Sequence, residues 1–249
     1  MANALWVAPS VNDQWAPSSR TNDSYYRKLI TSRPSLVGFW RGDAVIGTTD
    51  LDQSLGANVS TLSVVTLNQP QILVDQDFAS SFNGTTSIAS IADATNIHVG
   101  DVFTITLWIK RSAVGLGGSA TLIAGSTNSP TMQINSSDLI LCNKRGVSTL
   151  FASSVAITDT TILHHIAWAK NGVNNHLFLD GVDVTGAITN QTMSNTAVGY
   201  TIGAQVGPNT LFPGIIASVA LYSAELTAAQ MIAEFRVGRG GTGIMGVAA

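Results

Sequence analysis

The chain has 249 residues, of which 45% are hydrophobic and only 11% charged, and its formal net charge at pH 7 is −3. That length suits one all-β domain with a substantial core, while the sparse charge leaves Ser, Thr, Asn, Gln and Gly to cover the surface, which suits neutral partners or other protein. The balance gives no electrostatic footprint for DNA or RNA, no apolar run approaches membrane-spanning length, and a single cysteine, Cys142, excludes an internal disulfide and any metal centre built on clustered cysteines.

Met1 to Arg20 is polar and Pro-bearing, and no helical or strand period holds there. It reads as an arm with Trp6 and Trp15 as anchors, docking on a neighbour or folding back on its own domain. Its first six residues lack the basic start and long apolar core of a signal peptide, so the expectation is a protein made in the cytoplasm. Asn22-Asp23-Ser24 opens a short helix with an apolar stripe of Tyr25, Tyr26, Leu29 and Ile30, and Pro34 ends it.

Leu36 to Trp40 reads as the first strand of the body, and Gly47 to Val59 has loop composition. Thr61 to Leu67 reads as one strand, broken by Asn68-Gln69-Pro70. Phe78 to Phe82 and Ser87 to Ile91 are strands flanking the turn Asn83-Gly84. In Phe103 to Ile109, Phe103, Ile105, Leu107 and Ile109 make one face, and Thr104, Thr106 and Trp108 the other. A Trp opposite an apolar face implies cover on both sides. Short strands follow the Gly115–Ser119 loop at Ala120–Ala124, Thr131–Ile134, Leu139–Cys142 and Thr149–Ala152.

The stretch LHHIAWAKNGVNNHLFLDG, Leu163 to Gly181, predicts a hairpin. Leu163, His165, Ala167 and Ala169 point one way, and His164, Ile166, Trp168 and Lys170 the other. Asp180-Gly181 is a favoured two-residue turn, and Val182, Val184 and Thr185 extend the meander. Val198–Ala204 and Ile215–Tyr222 are further strands. The helix from Leu226 to Phe235 opens on a capping box, Thr227 with Gln230, and Gly238 starts a Gly-rich tail. Three segments result: an arm with a short helix (1–34), one β body (35–236) and a tail (237–249).

The order SLVGFW, ASSFNGTTSIASI, FTITLWIKRS, LHHIAWAKNG, NHLFLDGVDV, TIGAQ and LFPGIIASVALYSAELTAAQMIAEF resembles the laminin-G-like or concanavalin A-like jelly rolls. Phe82-Asn83-Gly84, Trp108, Trp168, Asp180-Gly181, Ile202-Gly203, Phe212-Pro213-Gly214, Tyr222 and Leu226-Thr227 occupy that family's recurrent places. RPSLVGFWRGD and LNQPQILVDQDFASSFNG look like openings common in phage-borne members. The resemblance implies an all-β sandwich of two antiparallel sheets. It does not fix a function, because members include lectins, glucanases, adhesion modules and virion parts.

Glucanase members carry Glu-x-Asp-x-Glu on one strand, and glycoside hydrolysis needs paired carboxylates. Here the only glutamates are Glu225 and Glu234, and neither belongs to such a motif. His164 and His165 face opposite sides and read as hydrogen-bonded structural histidines. Asp50 with Asp52, and Asp75 with Asp77, have a spacing that could serve calcium, although solvated loop acids are the plainer reading and no cofactor is called for. Arg41-Gly42-Asp43 and the Gly238–Gly243 pattern read as coincidences. Trp40, Trp108 and Trp168 read as core rather than sugar-stacking platforms.

The expectation is therefore a non-catalytic virion protein, a phage capsid decoration or tail-surface part, made in host cytoplasm. It would be a homo-oligomer in contact with other virion proteins through Trp6, Trp15, Tyr25 and Tyr26. The alternative is a lectin-like module that binds host glycan.

Overall fold

The computed structural model describes residues 25–70, 73, 78–194, 199–205 and 210–240. Trp6, Trp15, the helix start at Asn22–Ser24 and the tail from 241 lie outside the described residues. Helix α1 (Tyr25–Thr31) leads to β1 (Leu36–Trp40), β2 (Thr49–Asp50), β3 (Ser60–Ser63), β4 (Thr66–Pro70), β5 (Phe78–Asn83) and β6 (Ile88–Ile91). After the 3-10 turn Thr95–Ile97 come β7 (Val102–Arg111), β8 (Ala120–Ala124), β9 (Pro130–Ile134), β10 (Leu139–Lys144) and β11 (Ser148–Ala156). The chain then runs through β12 (His164–Asn171), β13 (Asn174–Leu179), β14 (Val182–Asp183), β15 (Tyr200–Ile202), β16 (Pro213–Tyr222) and α2 (Ala228–Gly238).

These strands form two antiparallel sheets packed face to face. The first has the order β14-β13-β12-β7-β16-β5-β4, with β1 also on β16; the second is β11-β10-β9-β8-β15-β6-β3-β2. β16 serves both β5 and β1 along one edge because a bulge at Ser218 (φ 50°) divides it, with Pro213–Ile216 facing β5 and Val219–Tyr222 facing β1. The jelly-roll sandwich expected from the sequence is present.

Several strand expectations are corrected. Thr61 to Leu67 is not one strand: Val64 takes φ 55°, and the chain leaves β3 in the second sheet for β4 in the first. A β-branched residue is uncommon in the left-handed region, so no local signal marks the crossover. Pro70 does not break β4 but ends it, which an edge strand tolerates. Likewise, Asn83-Gly84 joins β5 and β6 across the two sheets rather than within one. Thr49–Asp50, read as loop, pairs with Ser60–Thr61.

The Leu163–Gly181 expectation holds closely. β12 pairs with β13 from Ile166↔Leu179 to Asn171↔Asn174 and with β7 from His164↔Ile109 to Asn171↔Val102. Asp180 (φ 52°) and Gly181 (φ 78°) give the hairpin turn two successive positive φ angles, as a type I′ turn requires. Lys170 is fully buried, and its ammonium is satisfied by Asp101 Oδ1 at 2.9 Å and Asn190 Oδ1 at 3.1 Å.

Two apolar cores result. The larger fills the space between sheets with Trp40, Phe103, Ile105, Leu107, Ile109, Met132, Cys142, Ile166 and Trp168 among others. The smaller lies outside the first sheet, where Tyr26, Ile30, Leu226 and Met231 close over Trp108, Ala167, Ala169 and Tyr222. The capping box forms as expected: Thr227 Oγ1 accepts the Gln230 N–H at 3.3 Å, and Gln230 Oε1 accepts the Thr227 N–H at 2.9 Å. Gly238 belongs to α2 rather than to a tail. A Cβ there would sit 2.3 Å from the Trp108 ring, so only glycine lets the helix end lie on the indole.

Candidate functional site

The residues that the sequence singles out are mostly structural. Trp40, Trp108 and Trp168 are buried, and their indole N–H groups donate to Asn58 O (2.6 Å), Tyr26 Oη (2.8 Å) and Asn175 Oδ1 (3.3 Å). None offers a ring to a sugar. Tyr26 is taken up by its own chain, edge-on to Trp108, whereas Tyr25 is 83% exposed. Arg41 pairs with Asp43 at 3.0 Å, and the Gly42 N–H donates to Asp50, so the tripeptide folds on itself.

The histidines divide. His164 is clamped between Asp180 Oδ2 (2.7 Å) and Asp159 Oδ2 (2.8 Å). Burial alone would lower its pKa, but the two carboxylates outweigh burial and raise it. His165 departs from expectation: neither ring nitrogen has a hydrogen bond among the described residues, and Nε2 lies 3.8 Å from Glu234 Oε2. Glu234 is fully buried, pairs with Arg33 Nε at 3.2 Å and accepts the Tyr222 hydroxyl at 2.9 Å. Glu225 instead accepts from Asn171 Nδ2 at 3.1 Å.

Of the acids with calcium spacing, Asp50 and Asp52 are not solvated loop groups. Asp52 accepts the N–H groups of Phe39, Ser54 and Asn58, a donor-filled setting unsuited to a cation. Asp50 is 5% exposed and borders a cavity of about 20 Å³, roughly the size of one water. Burial pushes its carboxyl up to about 7 against the pull of the Gly42 N–H, and Asp43 adds to the rise. Asp75 and Asp77 lie outside the described residues. Among the described residues no three His, Cys, Asp or Glu side chains group as metal ligands.

A site that the sequence reading missed lies on the outer face of the second sheet. Along β9 and β10 side chains alternate: Met132, Ile134, Ile140 and Cys142 enter the core, while Thr131, Gln133, Leu141 and Asn143 face outward. The register sets Gln133 beside Leu141 and Thr131 beside Asn143, and Thr121 of β8 beside Gln133. With Lys144, Arg145 and Ser148 of the β10–β11 hairpin and Gln205 after β15, Thr131, Gln133, Leu141 and Asn143 line a groove of about 410 Å³, within the ~300–1,000 Å³ span of small-ligand clefts.

A hydrogen-bonded row crosses three strands along its floor. Thr121 and Thr210 share a contact of 2.7 Å between hydroxyls, Gln133 Nε2 donates to Thr121 Oγ1 at 2.9 Å, and Asn143 Nδ2 donates to Gln133 Oε1 at 3.0 Å. That row fixes the amide planes. It leaves Thr131 Oγ1, Asn143 Oδ1 and Ser148 Oγ shielded and without a hydrogen-bond partner among the described residues. Buried polar groups left unmade cost about 1–3 kcal/mol each, and the groove beside them is lined by hydroxyl and amide side chains that suit a polyhydroxylated or otherwise polar ligand. Among the described lining residues there is no Asp, Glu or His to move a proton.

Residues 83–231 match the family described as the concanavalin A-like lectin/glucanases superfamily, represented by its Laminin_G_3 branch. The chain belongs to this superfamily. No curated protein matches the sequence. Among solved structures, the concanavalin A-like fold recurs in domain 4 of AbnA, a GH43 extracellular arabinanase from Geobacillus stearothermophilus, in complex with arabinotriose. That match has 13% identity, covers 80% of this chain and 98% of that one, and gives a TM-score of 0.62. Trypanosoma rangeli sialidase in complex with sialic acid matches at 13% identity and TM-score 0.62 over 85% of this chain, which spans only 34% of the sialidase. The binding domain of Paraclostridial Mosquitocidal Protein 1 matches at 14% identity and TM-score 0.60, covering 81% and 52% of the two chains. At such identities these likenesses are of fold alone.

Proposed function

We propose that the chain is a non-catalytic, lectin-like module that binds glycan in the groove over β8–β11. The observation that carries this reading is the groove itself, lined by Thr131, Gln133, Asn143, Thr149 and Gln205 beside an amide row fixed by hydrogen bonds. Sugar hydroxyls donate and accept, which suits a lining of hydroxyl and amide side chains. Two of the similar structures support it in kind: one is an arabinanase domain solved with arabinotriose, the other a binding domain. The absence of catalysis rests on the groove's lack of an acid–base pair among its described residues.

A single such site binds weakly, on the order of millimolar or about −4 kcal/mol, and repetition in many copies raises avidity by roughly 10² to 10⁴. The setting we propose is the surface of a virus particle, of phage type. Support comes from the sequence openings near Pro34 and Asn68 and from the exposure of Tyr25. A glycan array probed with a multivalent form of the chain tests the first claim; silence across it, with folded protein, refutes glycan binding. Mass spectrometry of purified particles tests the second, and absence of the chain from them refutes it.

A further inference from the structure

Lys170 stands near the end of β12 and is fully buried. Its ammonium donates to Asp101 Oδ1 at 2.9 Å, to Asn190 Oδ1 at 3.1 Å and to Gly172 O, which uses all three of its donors. Nζ is thus held beside the carbonyl carbon of a primary amide, with a carboxylate on the same ammonium. Asn190 Oδ1 takes a second hydrogen bond, from Asn175 Nδ2 at 3.4 Å. Asn175 is buried, and its own Oδ1 accepts the Trp168 indole N–H, which fixes the way its amide faces. Asp101 Oδ1 also accepts the Met193 N–H at 2.8 Å, and its side chain is partly open to solvent. Amine, amide, carboxylate and a further amide donor therefore meet at one point in the core, and no other function of the chain uses them.

We propose that Lys170 and Asn190 condense into an isopeptide bond, which the folded chain forms by itself with loss of ammonia. Asp101 takes a proton from the ammonium, and the freed lone pair makes the Nζ–Cγ bond. The carbonyl electrons move onto Asn190 Oδ1, where the Asn175 N–H stabilises the oxyanion. As they return, the Cγ–Nδ2 bond breaks. Asp101 relays the two protons that Nζ gives up to the departing nitrogen, which leaves as ammonium. Nothing is oxidised or reduced, and no other reactant enters. Fixed geometry takes the place of a bimolecular encounter. The product exchanges a buried ammonium, costly to hold out of water, for a neutral amide, and it leaves Asp101 with its Met193 hydrogen bond and its access to solvent. The bond staples the sandwich. Lys170 belongs to the first sheet, while the segment carrying Asn190 is tied to β11 of the second by the Thr189 N–H on Leu150 O at 2.7 Å. This inference is independent of glycan binding.

Intact-mass spectrometry of the full chain, kept folded at neutral pH, decides it. The expected mass lies below that of the sequence by one ammonia. Trypsin should fail to cut the denatured chain at Lys170, and cleavage at Asp180 or Asp183, between the two residues, should leave a branched peptide that carries both. Lys170→Met should return the full mass of its own sequence. Asp101→Asn, which keeps the shape and loses the base, should slow the linkage by roughly 10²-fold or more. Separate peptides bearing Lys170 and Asn190 in the parent chain overturn the inference, whether or not either variant folds. An ammonia loss that persists in Lys170→Met also overturns it and traces instead to ring closure at an Asn-Gly pair, Asn83-Gly84 or Asn171-Gly172. Linkage at the parent rate in Asp101→Asn overturns the assignment of Asp101 as the base.

Discussion

The two sheets turn unlike outer faces to their surroundings. On the first, β7 and β12 send Trp108, His165, Ala167 and Ala169 outward, and α1 and α2 cover them with Tyr26, Ile30, Met231 and Phe235. On the second, β9 and β10 send Thr131, Gln133 and Asn143 outward, and no helix of the described residues lies over them. Backbone and alternation are the same in both, so the outward residues alone make the difference. An apolar second face obliges a sheet to find a third layer, whereas an amide and hydroxyl face can stay open and satisfy part of itself by cross-strand hydrogen bonds. One sheet is therefore available for scaffold and the other for recognition.

Breaking the covered side has the largest effect. Trp108→Ala removes the ring that Tyr26, His165 and Phe235 pack on, and with it the indole N–H that donates to the Tyr26 hydroxyl. Urea denaturation should show a loss of about 3–5 kcal/mol, with the groove geometry unaffected until the chain unfolds. A loss below about 1 kcal/mol would mean that the helical layer is ornamental rather than a second core.

The covered face was legible in the sequence because Trp108 opposes the apolar set Phe103, Ile105, Leu107 and Ile109, and only a strand buried on both faces tolerates that. The Asp180-Gly181 turn and the Thr227–Gln230 box were legible because each is a local pattern with a local cause. The crossover at Val64 was not, since its positive φ is imposed by the separation of the sheets and contradicts the residue's own preference. The groove was not legible either. Its polar residues come from three strands and their flanking loops, which only the antiparallel register brings together, and the alternation Thr131-Met132-Gln133-Ile134 and Leu141-Cys142-Asn143 signals a polar face without saying that a cleft forms there. Tyr26 was read as an outward contact because helical spacing gives a stripe without saying which body it meets.

The next effect is set by pH and concerns the seam between the sheets. Asp50 has its folded pKa raised to about 7, so its contribution favours the folded state at acid pH and is lost as pH rises through that value. His164, also raised, acts in the same sense: its clamp is present below the unfolded histidine value and fades as pH climbs through the folded one. Burial opposes ionisation of Asp159 and Asp180, but the hydrogen bonds from His164 prevail and hold both below the usual carboxylate range. Their stabilisation is present above the unfolded value near ~4 and lost as pH falls further. Stability should thus peak on the acid side of neutrality. Asp50→Asn keeps an acceptor for the Gly42 N–H and adds donors beside the unpartnered Ser60 Oγ. It should raise stability at pH 8 by a few kcal/mol, by less at pH 5, and change little below about pH 4. An unchanged alkaline limb would show that Asp50 is ionised and satisfied in the folded chain.

Thr227→Ala tests how firmly the third layer is tied down. It deletes one half of the capping box and should cost about 1 kcal/mol, read as a lower urea midpoint with an unaltered slope.

The smallest stability effect belongs to the open face, and there its smallness carries the argument. Thr131 Oγ1 is shielded and unpartnered, so the folded chain gains nothing from it and bears the expense of its desolvation. Thr131→Val keeps the shape and removes the hydroxyl; the thermal midpoint should stay level or rise, with a change within about 0.5 kcal/mol of zero or above it. Glycan affinity should meanwhile fall about tenfold, as for one lost hydrogen bond to a desolvated partner. A residue whose removal spares the fold is under a different constraint from Trp108, whose removal costs stability and leaves the groove geometry as it is. If Thr131→Val instead destabilises the chain by 1 kcal/mol or so and leaves binding untouched, the groove is scaffold like the opposite face, and the contrast between the two sheets disappears.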